Sequence, residues 1–380
     1  MEEKIKVTVV VWGNDNYNVL GLLRQLTPYV ENVIFLANGK AKGCASKSKY
    51  CKHLKVAKSQ EEAIQYIERL GKGLSPKGFL ITTSDLLAEC IDQYCDELSK
   101  YYYLSNTKEQ GLLTKSLNKG YQYKLAHKIG INVPSSQVFR HDSAIGVEFF
   151  PCLIKPAFKE PNVKHPFKTC ICNNEEDLIG AQQRLDKNGT YVLQQYIKKD
   201  YDVLIYGCRL EDGRVINAGS FTKYRWANGD GSYGIIDAVI PTCVDIGKLN
   251  AFLEETDYYG LFSAEFGVKD GIAWFYEFNL RNDGTSHYFY QAGLQNIPLL
   301  WVKSHLENLK GISSNKITAT FIDEIDDNNN IKAGIVTSKE WQKQKRQATV
   351  FKYYDANDMR PYYFMKAKKL LSGVKHLIKK

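Results

Sequence analysis

LFSAEFGVKDGIAWFYEFNLRNDGTSHYFYQAG, residues 261–293, contains two runs of alternating side chains joined by a turn. In a β-strand, successive side chains point to opposite faces. In the second run, one face carries Trp274, Tyr276, Phe278 and Leu280, which we expect to point towards a core. The opposite face carries Phe275, Glu277, Asn279 and Arg281. A carboxylate, an amide and a guanidinium in a row are unusual for a core strand, so this face is a candidate site.

The preceding run, residues 262–268, also alternates, and Glu265 lies on the face opposite its apolar side chains. Lys269-Asp270-Gly271 follows as a hairpin turn. A three-residue turn with Gly271 in the left-handed conformation would bring Glu265 and Glu277 to the same face. A two-residue turn would place them on opposite faces. The predicted shared face of the two glutamates therefore depends on the three-residue turn.

Two carboxylates and an amide oxygen on one face, from Glu265, Glu277 and Asn279, are ligands that suit a hard cation. Mg²⁺ takes oxygen ligands, keeps some waters and is often completed by substrate phosphates. Arg281, beside them, can hold a phosphate or carboxylate oxygen through two parallel hydrogen bonds. The hairpin therefore predicts a metal and phosphate site. The structural alternative is a solvated polar face on an edge hairpin.

The composition fits a soluble protein of a reducing compartment. With 380 residues, the chain is long enough for two or three domains. It has no apolar run of membrane-spanning length and no signal peptide, so we expect a cytoplasmic location. The nine cysteines are scattered and form no C-x-x-C pair, which favours ordinary free cysteines.

The net charge of +9 is concentrated at the end of the sequence. Residues 364–380, FMKAKKLLSGVKHLIKK, hold six lysines and no acid. The rest of the chain is nearly balanced, which argues against a nucleic-acid-binding surface. The same segment has the pattern of an amphipathic helix. It fits either a surface helix over the last domain or a helix that contacts an anionic membrane or a lipid-linked substrate.

Alternating strand and helix signals divide the chain into four parts. Residues 1–105 predict a small open α/β domain with a parallel sheet, and they contain no G-x-G-x-x-G fingerprint. In residues 106–187 and 188–309 most strands are joined by hairpins, which predicts an α+β arrangement with antiparallel sheets. Within them, residues 227–234 are interpreted as a glycine-rich loop. Residues 310–380 are interpreted as a C-terminal appendage.

The order of these parts resembles the ATP-grasp superfamily of carboxylate–amine ligases over most of residues 5–305. Glu277-Phe278-Asn279-Leu280-Arg281 is similar to the E-x-N-P-R strand of that family, with leucine in place of proline. The resemblance implies a pre-ATP-grasp α/β domain (1–105), small and large ATP-grasp subdomains (106–187 and 188–309) and a basic extension. It also implies two Mg²⁺ ions, or Mn²⁺, on Glu265, Glu277 and Asn279, with Arg281 at the γ-phosphate of ATP.

Further residues follow from the same resemblance. Lys119 and Lys155 match phosphate-binding lysines, and Lys223 resembles a lysine that reaches the phosphates in D-alanine ligases of the superfamily. Residues 195–197 (Gln195, Tyr196 and Ile197) fall on the hinge that holds the adenine edge. Asp200 falls where an acidic residue contacts the ribose. Taken singly, each residue also has a structural interpretation: a helix-start lysine, an exposed strand lysine or a turn aspartate.

One segment departs from the family. The loop after Lys155, AFKEPNVKHPFKT, has no glycine, although the family's loop usually donates backbone N–H groups to phosphate. Four basic side chains are candidates to replace those donors: Lys159, Lys164, His165 and Lys168. Within the superfamily, residues 282–288 are closest to the D-aspartate ligase-like branch. Members of that branch attach an amine to a carboxylate, often in cell-wall or surface-polymer assembly.

The resemblance implies an ATP-dependent ligase that joins a small carboxylate to an amine, an amino acid by expectation, through an acyl phosphate. Arg281 and Lys223 would serve the phosphoryl transfer. The expected acceptor-side contacts are the glycine-rich loop 227–234 and residues 282–288, namely Asn282, Asp283, Thr285, Ser286 and His287. His287 is either a base for the amine or a structural histidine. Two alternatives remain open: a non-catalytic nucleotide-binding scaffold, and phosphoryl transfer like that of a kinase or carbamoyl-phosphate synthase. The sequence leaves the oligomeric state open.

Overall fold

The computed structural model describes residues 3–141, 146–147, 149–157, 160, 162–307, 309 and 317–378. Of residues 372–378 only the backbone is described. The prediction for Lys159 and those for the side chains of Val374, Leu377 and Ile378 lie outside the described residues. Within the described part, no helix is both long enough and apolar enough to cross a membrane.

Residues 5–104 form a parallel sheet flanked by helices, in agreement with the predicted open α/β domain. The strands are β1 (Ile5–Gly13), β2 (Val30–Asn38), β3 (His53–Ala57), β4 (Gly78–Thr82) and β5 (Tyr102–Leu104). Their order is β3-β2-β1-β4-β5, and all pairs are parallel. The helices are α1 (Tyr17–Leu26), α2 (Gln60–Gly71), α3 (Asp85–Gln93) and α4 (Cys95–Leu98), with a 3-10 turn at Ala45–Lys47. The loops after β1 and β4 leave the same edge of the sheet.

A smaller antiparallel sheet follows. It is preceded by β6 (Asn106–Thr107), α5 (Leu112–Ser116) and α6 (Lys119–Ile129). Its elements are β7 (Ser136–Arg140), β8 (Cys152–Pro156), β9 (Cys170–Cys172), α7 (Glu175–Gln182) and β10 (Thr190–Gln195). The strand order is β7-β10-β8-β9. Because β10 pairs with both β7 and β8, this sheet extends past the boundary expected at residue 187.

A large sheet occupies the rest of the chain. Its first elements are β11 (Tyr201–Arg209), β12 (Val215–Ala227), β13 (Asp230–Asp237), α8 (Ile246–Glu255), β14 (Tyr258–Lys269), β15 (Ile272–Asn279), α9 (Ser286–Gln291) and α10 (Ile297–Ser304). The order is β15-β14-β11-β12-β13-β16-β17, and β6 pairs with β14 outside this path. Residues 227–234 are not the loop that we expected. They form a hairpin with a two-residue turn, in which Asn228 and Gly229 both have positive φ.

The C-terminal segment is part of the large sheet and not an appendage to it. Its elements are β16 (Thr318–Ile322), α11 (Asn329–Lys332), α12 (Ser338–Gln347), β17 (Val350–Phe351) and α13 (Arg360–Ile378). β16 pairs antiparallel with β13, and β17 pairs parallel with β16. The start of α13 packs through Tyr362, Phe364 and Met365 on the main core, while Leu370 and Leu371 are exposed. The membrane-contact interpretation of this helix stays a prediction.

The central hairpin departs from the expected turn. Asp270 and Gly271, both at positive φ, form a two-residue turn, because Lys269 pairs directly with Ile272. A β-bulge then shifts the register between Glu265 and Phe266, so that Glu265 pairs with Glu277. The expected shared face of the two glutamates is therefore present, but the bulge produces it and not the turn.

The bulge also changes which side chains enter the core. On the side of the bulge nearer the turn, Phe275 is buried in the core. Beyond the bulge, Phe278 and Leu280 are buried there. Trp274 and Tyr276 are only half-buried, which corrects the expected core face of the strand. The first strand of the hairpin behaves as predicted, because its alternating apolar side chains Phe262, Ala264, Phe266 and Val268 are all buried.

A buried carboxylate fastens the C-terminal segment to the β12–β13 hairpin. Asp327, which is fully buried, accepts hydrogen bonds from both Arg225 Nε and Nη2, at 3.2 and 2.7 Å. It also accepts from Ser232 Oγ at 2.6 Å and from Trp341 Nε1 at 2.9 Å. Because Asp327 bonds to both parts, this network fixes α11 and α12 on the hairpin.

We expect Asp327→Ala to lower the free energy of unfolding by about 3–5 kcal/mol, because it leaves the buried Arg225 guanidinium without its partner. Denaturant unfolding measures this change. The matched control is Asp326→Ala, which removes a half-buried carboxylate paired with Lys369 and should cost less than about 1 kcal/mol. Equal effects of the two substitutions would contradict the assigned role of Asp327.

Candidate active site

A cavity of about 410 Å³ opens on the polar face of the central hairpin. Its wall combines residues of the hairpin with the loops after β1 and β4, the β12–β13 hairpin and the C-terminal segment. The polar side chains of the wall include Tyr17, Lys168, Lys199, Asp202, Lys223, Asp230, Glu265, Glu277, Asn279, Arg281, Asp283, Thr285 and Lys352. Segments far apart in sequence therefore meet at one site.

Two lysines neutralise the paired glutamates. Lys119 Nζ, at the first residue of α6, lies 2.8 Å from Glu277 Oε2. Lys223 Nζ, on β12, lies 3.0 Å from Glu265 Oε2. The structure thus brings the predicted lysines and glutamates together.

The pKa values follow from these contacts. The Lys119 ammonium lowers the pKa of Glu277 to about 2, although burial opposes this change. Lys155 and Arg281 lower the same pKa further, so three of the predicted cations act on Glu277. Burial raises the pKa of Glu265, and Lys223 opposes that rise. Glu277 is therefore firmly ionised, whereas Glu265 takes up a proton more readily.

Asn279 is held in one orientation by its neighbours. Asp283 can only accept hydrogen bonds, so the Ser263 hydroxyl donates to Asp283 Oδ2, at 3.1 Å. The Ser263 oxygen can then accept from Asn279 Nδ2, also at 3.1 Å. Arg281 Nη2 donates to Asn279 Oδ1 at 2.9 Å. Asn279 thus turns its amide nitrogen to Ser263 and its oxygen to Arg281.

The chemistry of these residues fits a hard cation whose coordination shell is completed by a bound ligand or by water. Glu265, Glu277 and Asn279 present oxygen atoms, which Mg²⁺ and Mn²⁺ prefer. Within the residues described, no group of three or more His, Cys, Asp or Glu side chains is arranged to hold a metal by itself. A cation here would therefore need further oxygen atoms from water or from a bound phosphate, which is the usual situation for Mg²⁺.

The expected nucleotide hinge lies at the end of β10. The backbone N–H groups of Gln195 and Tyr196 donate to Ser135 and Pro151 carbonyls, at 2.8 and 3.0 Å. The N–H of Ile197 has no hydrogen-bond acceptor among the described residues. Of the three positions, Ile197 is therefore the one whose backbone donor is available to a ligand.

Lys155 and the basic residues after it lie in different environments. Lys155 Nζ donates to Tyr123 OH and to Gln194 Oε1, at 3.0 Å for the second contact. Lys168 lines the cavity, as expected for a residue that compensates for the missing glycines. His165 packs edge-on against Tyr191, with ring centroids 6.1 Å apart, and does not line the cavity.

Asp200 does not line the cavity. It accepts from Lys269 Nζ at 3.0 Å and from the Asp270 N–H at 3.1 Å, so it supports the hairpin turn. Asp202, two residues later, lines the cavity and accepts from Trp226 Nε1 at 2.7 Å. The prediction missed Asp202, which lies on β11, whereas Asp200 precedes that strand. Asp202 is the better candidate for a ligand contact.

Only two of the five expected substrate residues line the cavity: Asp283 and Thr285. Asn282 is fully buried and accepts from Tyr206 OH at 2.7 Å, while Ser286 accepts from Gln25 between α1 and α9. Burial lowers the pKa of His287 to about 3. His287 packs against α1 at Gly21, so the structure supports its structural interpretation.

Three further residues of the wall were missed: Tyr17, Asp230 and Lys352. Tyr17 is the first residue of α1. Asp230 begins β13 and Lys352 follows β17. No local signal identifies Lys352, because its role depends on strand pairing across the sheet.

The arrangement can bind anionic groups at one end of the cavity. Lys119, Lys155, Lys223 and Arg281 surround the two glutamates, and Lys168 and Lys199 lie along the wall. Such a set of cations, with oxygen ligands for a divalent ion, can stabilise the charge that develops in phosphoryl transfer.

Comparison with known proteins gives a likeness in structure alone. The sequence matches no protein-family model and no curated protein. The structure is similar to an N5-carboxyaminoimidazole synthetase from Staphylococcus aureus complexed with ADP, at 14% identity and a TM-score of 0.66, over 88% of this chain and 87% of that one. It is also similar to an L-amino acid ligase from Bacillus licheniformis, at 14% identity and a TM-score of 0.63, over 83% and 80%.

A third similar structure is the biotin carboxylase domain of a 2-oxoglutarate carboxylase from Hydrogenobacter thermophilus, which holds MgADP, ADP and bicarbonate. The identity is 13% and the TM-score 0.61, over 83% of this chain and 74% of that one. At these identities the likeness establishes a shared fold, and this chain has it over most of its length.

The orientation of Asn279 gives a testable consequence. We expect Ser263→Ala to weaken Mn²⁺ binding in the presence of ADP by about 10-fold, because it removes the group that holds the amide nitrogen away from the cation. Electron paramagnetic resonance of Mn²⁺ measures binding without turnover.

The control is the same substitution in an Asn279→Asp background. A carboxylate presents oxygen in either orientation, so Ser263→Ala should then cause no loss of Mn²⁺ affinity. An equal loss in both backgrounds would mean that Ser263 acts only on general stability.

Proposed function

We propose that this chain, which has the ATP-grasp fold, is an ATP- and Mg²⁺-dependent ligase that joins a carboxylate to an amine through an acyl phosphate. The observation that carries the proposal is the shared face of Glu265, Glu277, Asn279 and Arg281, with Lys119 and Lys223 against the two glutamates. Neighbours with this fold include an amino acid ligase and enzymes bound to ADP, which supports this chemistry.

In the first step, a substrate carboxylate oxygen attacks the γ-phosphorus of ATP, and the bond from that phosphorus to the β,γ-bridging oxygen breaks. ADP leaves with the bond electrons. Arg281 holds the transferred phosphoryl group and Lys223 neutralises its negative charge, so the protein contributes position and charge and no nucleophile. Glu265, Glu277 and Asn279 would hold Mg²⁺, which would supply further charge neutralisation at the phosphates.

In the second step, the amine nitrogen attacks the acyl carbon, and the bond to the phosphate oxygen breaks. The incoming ammonium first loses one proton to solvent, and a second proton leaves with inorganic phosphate. The products are an amide, ADP and phosphate. Within this proposal the protein acts in the cytoplasm and the amine is an amino acid. Residues 282–288, similar to the D-aspartate ligase-like branch, support a role in cell-wall or surface-polysaccharide assembly.

The glycine-poor loop after Lys155 favours one alternative, a nucleotide-binding scaffold without catalysis. Such a scaffold would bind ATP but show no turnover that depends on both a carboxylate and an amine. Products separate the ligase from a kinase-like enzyme, because only the ligase forms an amide.

The test measures phosphate release from ATP and Mg²⁺ with a panel of D- and L-amino acids, alone and with cell-wall precursor carboxylates. We expect release that requires one carboxylate and one amine. Glu277→Gln should lower kcat by about 100-fold or more, because it removes a charged metal ligand next to the transferred group. Mass spectrometry of the product checks that an amide forms.

The matched control is Asp270→Asn, at an exposed turn residue of the same hairpin, which should retain wild-type turnover. Binding of ATP without stimulated release in the wild type would favour the scaffold. Absence of ATP binding would refute the proposal as a whole.

A further inference from the structure

We propose that the cavity end formed by Tyr17, Asp230, Asp283 and Lys352, here called the acidic end, binds the primary ammonium group of the amine substrate. This inference rests on the proposed ligase function and assigns the two substrates to different parts of the cavity. It also gives the C-terminal segment, through Lys352, a part in substrate recognition.

The charge at the acidic end favours a cation. Lys352 Nζ lies 3.2 Å from Asp230 Oδ2 and 3.2 Å from Asp323 Oδ2. Asp283 lines the same cavity and lies, like Asp230, in the electrostatic environment of Tyr17, so a third carboxylate adds negative charge here. Asp323 is 1% exposed and Lys352 is 7% exposed, so water screens these charges only weakly. A further positive group would balance the charge, whereas a carboxylate or phosphate would be repelled.

Asp283 is the carboxylate available to that group. Its side chain is 8% exposed, and it forms no ion pair with any described residue. Thr285 N–H and Oγ1 donate to Asp283 Oδ1 at 2.8 and 2.7 Å, and Ser263 donates to Oδ2. These neutral donors fix the direction of the carboxylate without cancelling its charge. Each of the other cavity carboxylates already contacts a lysine.

Tyr17 joins the parts of the acidic end. Its hydroxyl donates to Asp230 Oδ2 at 3.4 Å, and Lys352 Nζ lies 4.4 Å from the centre of its ring. The ring packs so closely on Gly284 that a Cβ there would lie 2.3 Å from Tyr17 Cε2. Tyr17 thus stands between Asp230 and the segment that carries Asp283. Its ring already accommodates one ammonium, that of Lys352.

The part of the cavity around the two glutamates is rich in cations. Lys119, Lys155 and Arg281 surround Glu277, and Lys223 contacts Glu265. A divalent cation at the glutamates would make this end more positive still. The carboxylate substrate and the phosphates therefore belong there, and the amine belongs at the acidic end.

The position of Lys352 is fixed by the backbone around it. Glu324 accepts hydrogen bonds from the N–H groups of Lys352, Tyr353 and Tyr354, at 3.0, 3.0 and 2.8 Å. Glu324 follows directly after Asp323, the second partner of Lys352. Asp323 and Glu324 thus fix both the side chain and the backbone of Lys352, so its ammonium group has a defined position in the cavity wall.

The experiment compares two nucleophiles for one acyl phosphate. Hydroxylamine is uncharged near neutral pH and needs no ammonium site, whereas primary amines arrive as ammonium ions. We measure kcat/KM for both with ATP, Mg²⁺ and a panel of carboxylates. We expect Asp283→Asn and Asp230→Asn to lower the ratio of amine to hydroxylamine kcat/KM by about 10- to 100-fold, because each removes a charged acceptor. The amine panel pairs amino acids with their decarboxylated amines, which shows whether the ammonium belongs to an amino acid.

The ratio cancels any effect of the substitutions on metal binding or on acyl phosphate formation, because both nucleophiles use the same intermediate. Asp270→Asn, outside the cavity, should leave the ratio unchanged. Two results would refute ammonium binding at the acidic end and leave the acyl phosphate chemistry intact. One is hydroxamate formation with an unchanged ratio in both cavity variants. The other is hydroxamate formation without reaction of any primary amine. No hydroxamate with any carboxylate in the wild type would refute the proposed function and this inference together.

Discussion

The β-bulge between Glu265 and Phe266 is the constraint on which the site depends. The tight turn at Asp270-Gly271 alone would pair Glu265 with Tyr276 and send Glu277 into the core. One extra residue on β15 changes the partner, so that the two carboxylates stand opposite each other on the cavity side. The same shift sends Phe275 and Phe278 into the core on either side of the bulge. Packing and function are therefore set by one irregularity, because a register shift by one residue reverses the face of every side chain.

Two half-buried carboxylates side by side repel each other, and lysines from separate segments offset this repulsion. Lys119 begins α6, whereas Lys223 lies in the middle of β12, on the far side of β11. Each ion pair stabilises the ionised glutamates while no divalent cation is present. A cation at the same oxygen atoms would take over that role, which would free the lysines for phosphate groups. The site is thus electrostatically balanced both with and without its ligand.

Local patterns predicted the alternating strands and the polar face of the hairpin, because alternation acts over a few positions. The buried apolar side chains of β14 followed from this signal. The turn type did not, since the bulge is set by packing on both strands. Nor did the wall at Tyr17, Asp230 and Lys352, which exists only through pairing of strands distant in sequence. Asp200 and His287 show the same limit. The sequence places both near the site, but Asp200 bonds to the hairpin turn and His287 packs against α1.

The two C-terminal strands have a consequence for solubility. Without β16, the strand β13 (Asp230–Asp237) would be an open sheet edge of eight residues with unpaired N–H and C=O groups. Such an edge is a template for pairing with another chain. In the folded protein β16 covers β13, and the new edge strand, β17, is only two residues long. The segment that completes the cavity therefore also protects the chain from edge-to-edge aggregation.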